Sequence, residues 1–307
     1  YSSGSGDVMI ELIASGLVLA SMYGLVAVGI SLTWSSVGML NLAQGFVFTF
    51  GGYVAFLFAQ YMAKNFSIRD GVLLSLGVVL LGMIGSAIAG LIVGGLAFLP
   101  LHDRVNFPVR GLIATLAISI MGTQIFMLIF GPQSKPLPQI FGIKRFKIGD
   151  FSIAYGQVGT IVVATVVLLI VTLWMRRSRR GLQMRAMMMN PLGANMVGVS
   201  VRTTGMIALA ISGALAGLAS VLLGQIFFVS PTSGVQPLIV GLIISLAGGL
   251  GSMPGTVLAA VLLGFAEAVT ARYTEQSFVP FVQFALVIAI LTFRPRGLGG
   301  VLEDVRE

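Results

Sequence analysis

The chain is organised by long stretches that contain no Asp, Glu, Lys or Arg. Six stand out; they are residues 12–63, 71–101, 111–134, 151–175, 203–266 and 276–293. A helix needs about 20 apolar residues to cross a bilayer. The first stretch has room for two crossings, the fifth for three joined by tight turns, and each of the others for one. These allowances add up to nine passes, and since some of them can be broken or re-entrant, the pattern predicts an all-α polytopic membrane protein with about eight transmembrane helices, to within one.

Composition agrees with this prediction. The 307 residues are 57% hydrophobic and 9% charged, whereas about a quarter of the residues in ordinary soluble domains are charged. So little charge cannot cover a soluble surface. The net charge of +8 then points to the bilayer as the first partner, rather than to nucleic acid. With no cysteine, no P-loop, no paired catalytic carboxylates and no nucleophile elbow, we expect neither catalysis by this chain nor a metal or cofactor.

Basic residues predict the orientation, because cytoplasmic loops carry an excess of Lys and Arg. The densest group lies between the fifth and sixth predicted spans; it comprises Arg176, Arg177, Arg179, Arg180, Arg185 and Arg202. We therefore place the segment 176–205 in the cytoplasm, together with the loop 101–110 and the C-terminal end. The loop 132–157 then lies outside, where its prolines and the alternation around Gly149-Asp150 predict a rigid turn and a short β-hairpin.

The expected domain organisation is simple. The polar residues 1–6 are interpreted as a linker or trimmed end and are excluded from the fold. Residues 7–302 form the transmembrane permease domain, and residues 303–307 form a cytoplasmic tail. His102 stands alone beside a charged pair in the loop 101–110, so we expect a solvated side chain there and not a metal ligand.

Small residues recur at four-residue spacing on two predicted helices. The two ladders are Gly82, Ser86, Gly90 and Gly94, and Ala208, Ser212, Ala216, Ser220 and Gly224. In lipid, helices associate largely by close contact between small residues. The ladders therefore predict helix packing, and a permeant path along either of them is the alternative.

The element GMLNLAQG at 38–45 interrupts the apolar pattern. Irregular backbone at membrane depth is tolerated only where it is buried in protein or lines a water-filled cavity. Asn41 and Gln44 are three residues apart and share one face of a helical turn. Their amides either bind a polar solute or hold neighbouring helices together.

Two further interruptions lie near the C-terminal end. GGLGSMPG at 248–255 cannot continue a regular helix, and a tight turn between spans is favoured over a re-entrant loop. Glu267 follows a long neutral run, and ionisable residues within spans are functional candidates by default. The alternative is that Glu267 lies near the membrane surface, since Arg272 and Glu275 follow closely.

The segment 185–199, with the sequence RAMMMNPLGANMVGV, is too short to span and too apolar for an ordinary exposed loop. Exposed Met-rich surface usually marks a partner interface, and Pro191 suits the first turn of a short helix. The segment therefore either docks on a soluble partner or lies flat on the lipid surface.

Five elements, in order, resemble those of permease subunits of branched-chain amino acid ATP-binding-cassette (ABC) importers of the LivH kind. They are GMLNLAQG at 38–45 followed by Gly51-Gly52-Tyr53; GLIAT at 111–115; Arg185-Ala186 with Asn190, Ala194 and Gly198; GGLGSMPG at 248–255 followed by Leu263-Gly264 and Glu267; and RPRGL at 294–298. The resemblance covers nearly the whole chain. It implies a bacterial or archaeal plasma-membrane protein with its C-terminus in the cytoplasm.

The resemblance also implies roles and partners. The substrate-path candidates are Asn41, Gln44, Gly45, Thr115 and Glu267. The ATPase-coupling candidates are Arg185, Ala186, Asn190, Ala194 and Gly198. A sister permease subunit or second copy would complete the pore, two cytoplasmic ATPase subunits would hydrolyse ATP, and an external solute-binding protein would deliver the cargo.

One departure keeps the cargo open. Gln44 stands where this family usually has His, which replaces a titratable group with an amide. A branched-chain or related amino acid is the expected cargo, and urea, a short amide or another small organic solute is the alternative. A carrier or channel that needs no ATPase, and a membrane scaffold without a permeant, are the other functional hypotheses.

Overall fold

The computed structural model describes residues 5–65, 72–141, 145–148 and 151–299. Within these ranges, eight helices are long and apolar enough to cross a membrane, which confirms the predicted fold class. They are α1 (Ser5–Val37); α2 (Gln44–Asn65); a rod made of α3 (Val72–Val93), a π-helical turn (Gly94–Phe98) and α4 (Leu99–Leu101); α5 (Phe107–Phe130); α6 (Tyr155–Arg177); α9 (Val201–Phe227); α11 (Met253–Tyr273); and α12 (Val279–Phe293), which a 3₁₀ turn (Gln276–Phe278) extends. The shorter helices of the same ranges are α7 (Arg179–Met189), α8 (Pro191–Met196) and α10 (Val235–Gly248).

The middle pass of the stretch 203–266 differs from the expectation of three complete crossings. Helix α10 has 14 residues and is therefore about 21 Å long at 1.5 Å per residue, less than the roughly 30 Å of a hydrocarbon core. Residues 228–234 make up the rest of the pass without forming a helix. Pro231 cannot continue α9, and the neighbouring hydroxyls bind backbone instead, as when Ser233 Oγ donates to the Ser230 carbonyl at 2.8 Å.

This broken pass places the two ends of the described chain on opposite faces of the bundle. Gly251 N, in the turn after α10, donates to Ser31 Oγ near the end of α1 at 3.0 Å. Gly299 N, after α12, donates to the Gly248 carbonyl at 2.9 Å. The end of α1 and the residues after α12 therefore share one face, and α1 begins on the other.

Small residues bring α3 and α9 into backbone contact. A Cβ added to Gly90 would lie 2.5 Å from the Leu209 carbonyl oxygen, and a Cβ added to Gly82 would lie 2.5 Å from Cγ2 of Val221. Ser86 Oγ donates to the Val47 carbonyl on α2 at 2.8 Å. The packing interpretation of the first ladder is confirmed.

The predicted hairpin is present between α5 and α6. Strands β1 (Arg145–Ile148) and β2 (Phe151–Ala154) pair antiparallel, with Arg145 opposite Ala154. The turn predicted at 149–150 lies outside the described residues, as do residues 1–4 of the expected linker and the tail 303–307. Lys135 and Val229 exchange two backbone hydrogen bonds of 2.7 and 2.9 Å, which tie the loop after α5 to the end of α9.

Candidate translocation cavity and coupling surface

A cavity of about 160 Å³ lies between α1, α2, α9, α10 and α11. Its buried wall includes Tyr23, Ser220 and Glu267, and its rim includes Phe228 and Gln276. The rim belongs to the ends of α9 and α11, so the cavity opens on the face opposite to α7 and α8. We call it the polar cavity, because Tyr23, Ser233 and Glu267 are among the residues that line this space between apolar helices.

Glu267 lies inside this cavity and not at the surface of the bundle. It is 7% exposed and follows the start of α11 by about 21 Å of helix. Tyr23 Oη donates to Glu267 Oε1 at 3.4 Å, and Gln283 Nε2 on α12 donates to Oε2 at 2.8 Å. Glu267 is therefore buried in the bundle, and both its depth in the membrane and its contact with a solute stay predictions.

Ser220 and Phe228 are features of the cavity that the sequence did not single out as functional. Ser220 belongs to the second ladder and lines the cavity, while its Oγ is buried against Gly52 and has no hydrogen-bond partner among the described residues. Phe228 has φ +59°, a conformation that is strained for a bulky side chain and often found at functional sites. Its only sequence signal is its place between the end of a span and Pro231.

Asn41 and Gln44 form a buried network between α1 and α2. Asn41 Nδ2 donates to Gln44 Oε1 at 3.4 Å, so the two side chains share a face as predicted. Gln44 Nε2 donates to the Ser212 carbonyl on α9 at 3.0 Å. Thr115 Oγ1 on α5 accepts a hydrogen bond from Leu42 N at 3.2 Å. The network joins α2 to α5 and α9, and its role in a substrate path stays a prediction.

Gly45 provides a close approach between α2 and the start of α10. A Cβ on Gly45 would lie 2.7 Å from the Gly234 carbonyl oxygen. Gly234 N also donates to Thr49 Oγ1 at 3.1 Å. Two cavity-lining residues, Phe48 and Pro237, stand close to this contact along their helices, so the contact fixes the separation of two cavity walls.

The element at 248–255 is a tight turn between α10 and α11, which confirms the favoured interpretation. Gly249 and Gly251 adopt φ values of +89° and +90°, which L side chains rarely adopt. Ser252 Oγ accepts a hydrogen bond from Gly255 N at 3.2 Å and caps α11. Leu298 N donates to the Ala247 carbonyl at 2.9 Å, so residues after α12 complete the end of α10.

The segment between α6 and α9 folds as two short helices joined at a sharp corner. Ser178 Oγ accepts from Gly181 N at 2.9 Å and caps α7. Asn190 Oδ1 accepts from Gly193 N at 2.9 Å and caps α8, whose first residue is Pro191, as expected. Gly198, with φ +86°, ends the turn after α8. Of the coupling candidates, Asn190 and Gly198 thus shape this corner.

Helix α8 and its neighbours expose four large apolar side chains close together in the sequence. Met196 is 88% exposed and Leu192 is 76% exposed, and Met189 and Val197 beside them are also exposed. Ala194, by contrast, is buried with Met187 and Val199 under the patch, and Ala186 packs against this cluster. We call the four exposed side chains the α8 patch. An exposed apolar patch of this kind marks a partner or membrane contact.

Helix α7 joins the α8 patch to the turn at 249–252. Met188 faces Gly251, with its Sδ 3.0 Å from the position that a Cβ there would take. Arg185 donates through Nη2 to the Arg176 carbonyl at 2.8 Å. Both side chains line a second cavity of about 440 Å³ that also touches Ser252. Helix α7 is therefore in contact with the junction of α10 and α11.

The expectation of a solvated His102 is wrong. Its side chain is 8% exposed and packs on Phe98, with ring centroids 5.5 Å apart. Arg202 donates to His102 Nε2 at 3.1 Å and to Asp103 Oδ2 at 2.9 Å. These bonds tie the loop after α4 to the start of α9.

The bundle of long apolar helices and its internal polar cavity define a multi-pass membrane transport protein. The family model for the permease component of branched-chain amino acid transport systems matches residues 12–291. The chain belongs to this family, which confirms the resemblance inferred from its motifs.

Related proteins match over almost their whole length. The chain is 32% identical over 304 residues to the high-affinity branched-chain amino acid transport system permease protein BraD of Pseudomonas aeruginosa, and the match covers 95% of each protein. It is 28% identical over 292 residues to LivH of Escherichia coli, with 93% of this chain and 94% of the relative covered. For a probable LivH of Methanocaldococcus jannaschii the identity is 30% over 311 residues, covering 96% and 93%.

Proposed function

We propose that the chain is a permease subunit of an ABC importer and that the α8 patch receives the motion of an ATPase subunit. The observation that carries this proposal is the exposed Met-rich surface on a short capped helix, joined through α7 to the turn between α10 and α11. The other ends of α10 and α11 contribute Pro237 and Glu267 to the polar cavity. A push at the patch therefore has a short path of packed groups to the cavity.

The proposed orientation follows from charge. Arg176, Arg177, Arg179, Arg180 and Arg185 lie on the face that bears α7 and α8, which is the pattern of a cytoplasmic face. The residues after α12 share this face. The polar cavity then opens to the outside, where a solute-binding protein would deliver cargo. A sister subunit or second copy and two ATPases would complete the assembly in a bacterial or archaeal plasma membrane.

The proposed cargo is a branched-chain or related amino acid. Its support is the family of the chain and a cavity that combines Glu267 with apolar groups such as Phe48 and Leu223. Urea or a short amide in the same class of importer remains the alternative that Gln44 favours. A carrier without an ATPase has no use for the α8 patch, which is why we prefer the importer.

The proposal is tested by purifying the complex from native membranes in mild detergent with the chain as bait. We expect an ATPase subunit to co-purify and the complex to hydrolyse ATP, since this chain shows no P-loop of its own. A matched bait with Leu192→Glu and Met196→Glu should insert in the membrane and recover much less ATPase. Recovery of the chain alone from membranes that support solute uptake would contradict the proposal.

A further inference from the structure

The carboxyl group of Glu267 is buried without a positively charged partner among the described residues. No Lys, Arg or His of the described residues lies within ion-pair distance of its carboxyl group. Tyr23 and Gln283 are neutral donors, and each occupies one carboxylate oxygen. A carboxylate has about four lone-pair sites, so both oxygens keep the capacity to accept further bonds.

A buried carboxylate is costly unless it is paired, and acids inside membrane proteins usually face a partner or a solute pathway. Glu267 is 7% exposed and lines the polar cavity. The missing positive charge can therefore come from whatever enters that cavity.

The cavity also offers an apolar contact beside the carboxylate. Phe48 and Leu223 provide an apolar wall. An acid and an apolar wall together suit a solute with an ammonium group and an aliphatic chain.

We propose that Glu267 is the specificity-determining residue of the permease and binds the ammonium group of its cargo in the polar cavity. This inference rests on the proposed function and narrows its substrate class to primary ammonium compounds. The apolar wall accepts the side chain of the cargo. Urea and neutral amides carry no charge to pair with Glu267 and are rejected at this point.

Because the chain contains no cysteine, a single thiol introduced by substitution is the only one on it that maleimide can label. Gln276 is exposed and lines the rim of the cavity, so the variant Gln276→Cys carries a single thiol at its mouth. Its rate of maleimide labelling is measured in proteoliposomes that hold the whole complex without the solute-binding protein, so that the receptor's selectivity plays no part. The added probes are L-leucine, leucinamide, 4-methylpentanoate, 4-methylpentanamide and urea.

We expect leucine and leucinamide to slow the labelling, and the three probes without an ammonium group to act only at concentrations at least about tenfold higher. Adding Glu267→Gln should weaken the protection by leucine at least about tenfold, because it removes the charge and keeps the shape. Glu267→Asp should retain part of the protection. The control is Glu275→Gln, the same change at an exposed acid nearby, which should leave protection unchanged.

Equal protection by leucine and 4-methylpentanamide, protection by urea alone, or no protection by any probe would overturn the inference. So would leucine protection that survives Glu267→Gln. The comparison of probes needs only the Gln276→Cys chain, so it decides the matter even if the Glu267 variants fail to assemble. Co-purification of the ATPase is a separate readout, so failure here leaves the importer proposal standing.

Discussion

Replacing Leu192 and Met196 together with glutamate is expected to reduce ATP-driven uptake to below about a tenth of the unmodified level. The two side chains are 76% and 88% exposed, so the substitutions disturb no internal packing. At an apolar interface with an ATPase, each new carboxylate would have to lose its water without gaining a partner, and this cost opposes docking. Uptake and ATP hydrolysis are measured in proteoliposomes, and the amount of inserted chain is measured in parallel.

The matched control for this experiment is Val105→Glu. Val105 is apolar and 78% exposed, and it lies in the loop after α4 that Arg202 ties to the start of α9. We expect this variant to keep uptake within about twofold.

Met196→Lys tests the lipid alternative, because a basic side chain is tolerated beside anionic headgroups and is not tolerated in an apolar protein interface. Full uptake by the Leu192 and Met196 variant would exclude the α8 patch from coupling.

Replacing Asn41 and Gln44 together with leucine is expected to abolish uptake while the chain still inserts. The change removes the side-chain hydrogen bond to the Ser212 carbonyl, which lies within α9, and leaves the buried Ala43 amide without its side-chain partner, at about 1–3 kcal/mol for a buried group left unpaired. It also removes hydrogen bonds that hold the start of α2, the helix on which Phe48 lines the polar cavity. Uptake is compared at equal amounts of inserted chain.

Gln225→Leu is the control for this pair. Gln225 on α9 also uses its amide to bind backbone, accepting from Ile140 N at 3.0 Å at the far end of the helix. A loss of uptake confined to the Asn41 and Gln44 variant would place the network in the transport path or its support. Unchanged uptake with a lower melting temperature would assign the two amides to packing alone.

The long spans were predictable because absence of charge is a local property of the sequence. Helix α10 shows the limit of that argument. Its residues are as apolar as those of a spanning helix, and its shortness depends on where the chain leaves α9. Pro231 follows that point, and the start of α10 is held by the contact of Gly234 with Gly45 and Thr49, which are distant in sequence. A count of apolar residues contains no information about such contacts.

The residues of the candidate site also divide into those that the sequence reveals and those that it does not. Glu267 stood out because an acid within a neutral run is unusual, and Asn41 and Gln44 stood out because their spacing puts both amides on one face. The partners of Glu267 cannot be predicted in this way, since Tyr23 belongs to α1 and is 244 residues away in the chain. The sequence predicts only a packing role for Ser220, because a four-residue ladder gives no indication of which helix, or which cavity, each member faces.

Coupling through the α8 patch is tested most directly by crosslinking from a single cysteine. The chain contains no native cysteine, so Met196→Cys carries one reactive position in the centre of the patch. In membranes with the whole transporter, we predict that a benzophenone maleimide attached to this thiol joins the chain to an ATPase subunit on illumination, and that a bound ATPase slows the labelling of the free thiol. Labelling that is the same with and without the ATPase, with crosslinks to lipid only, would contradict the account.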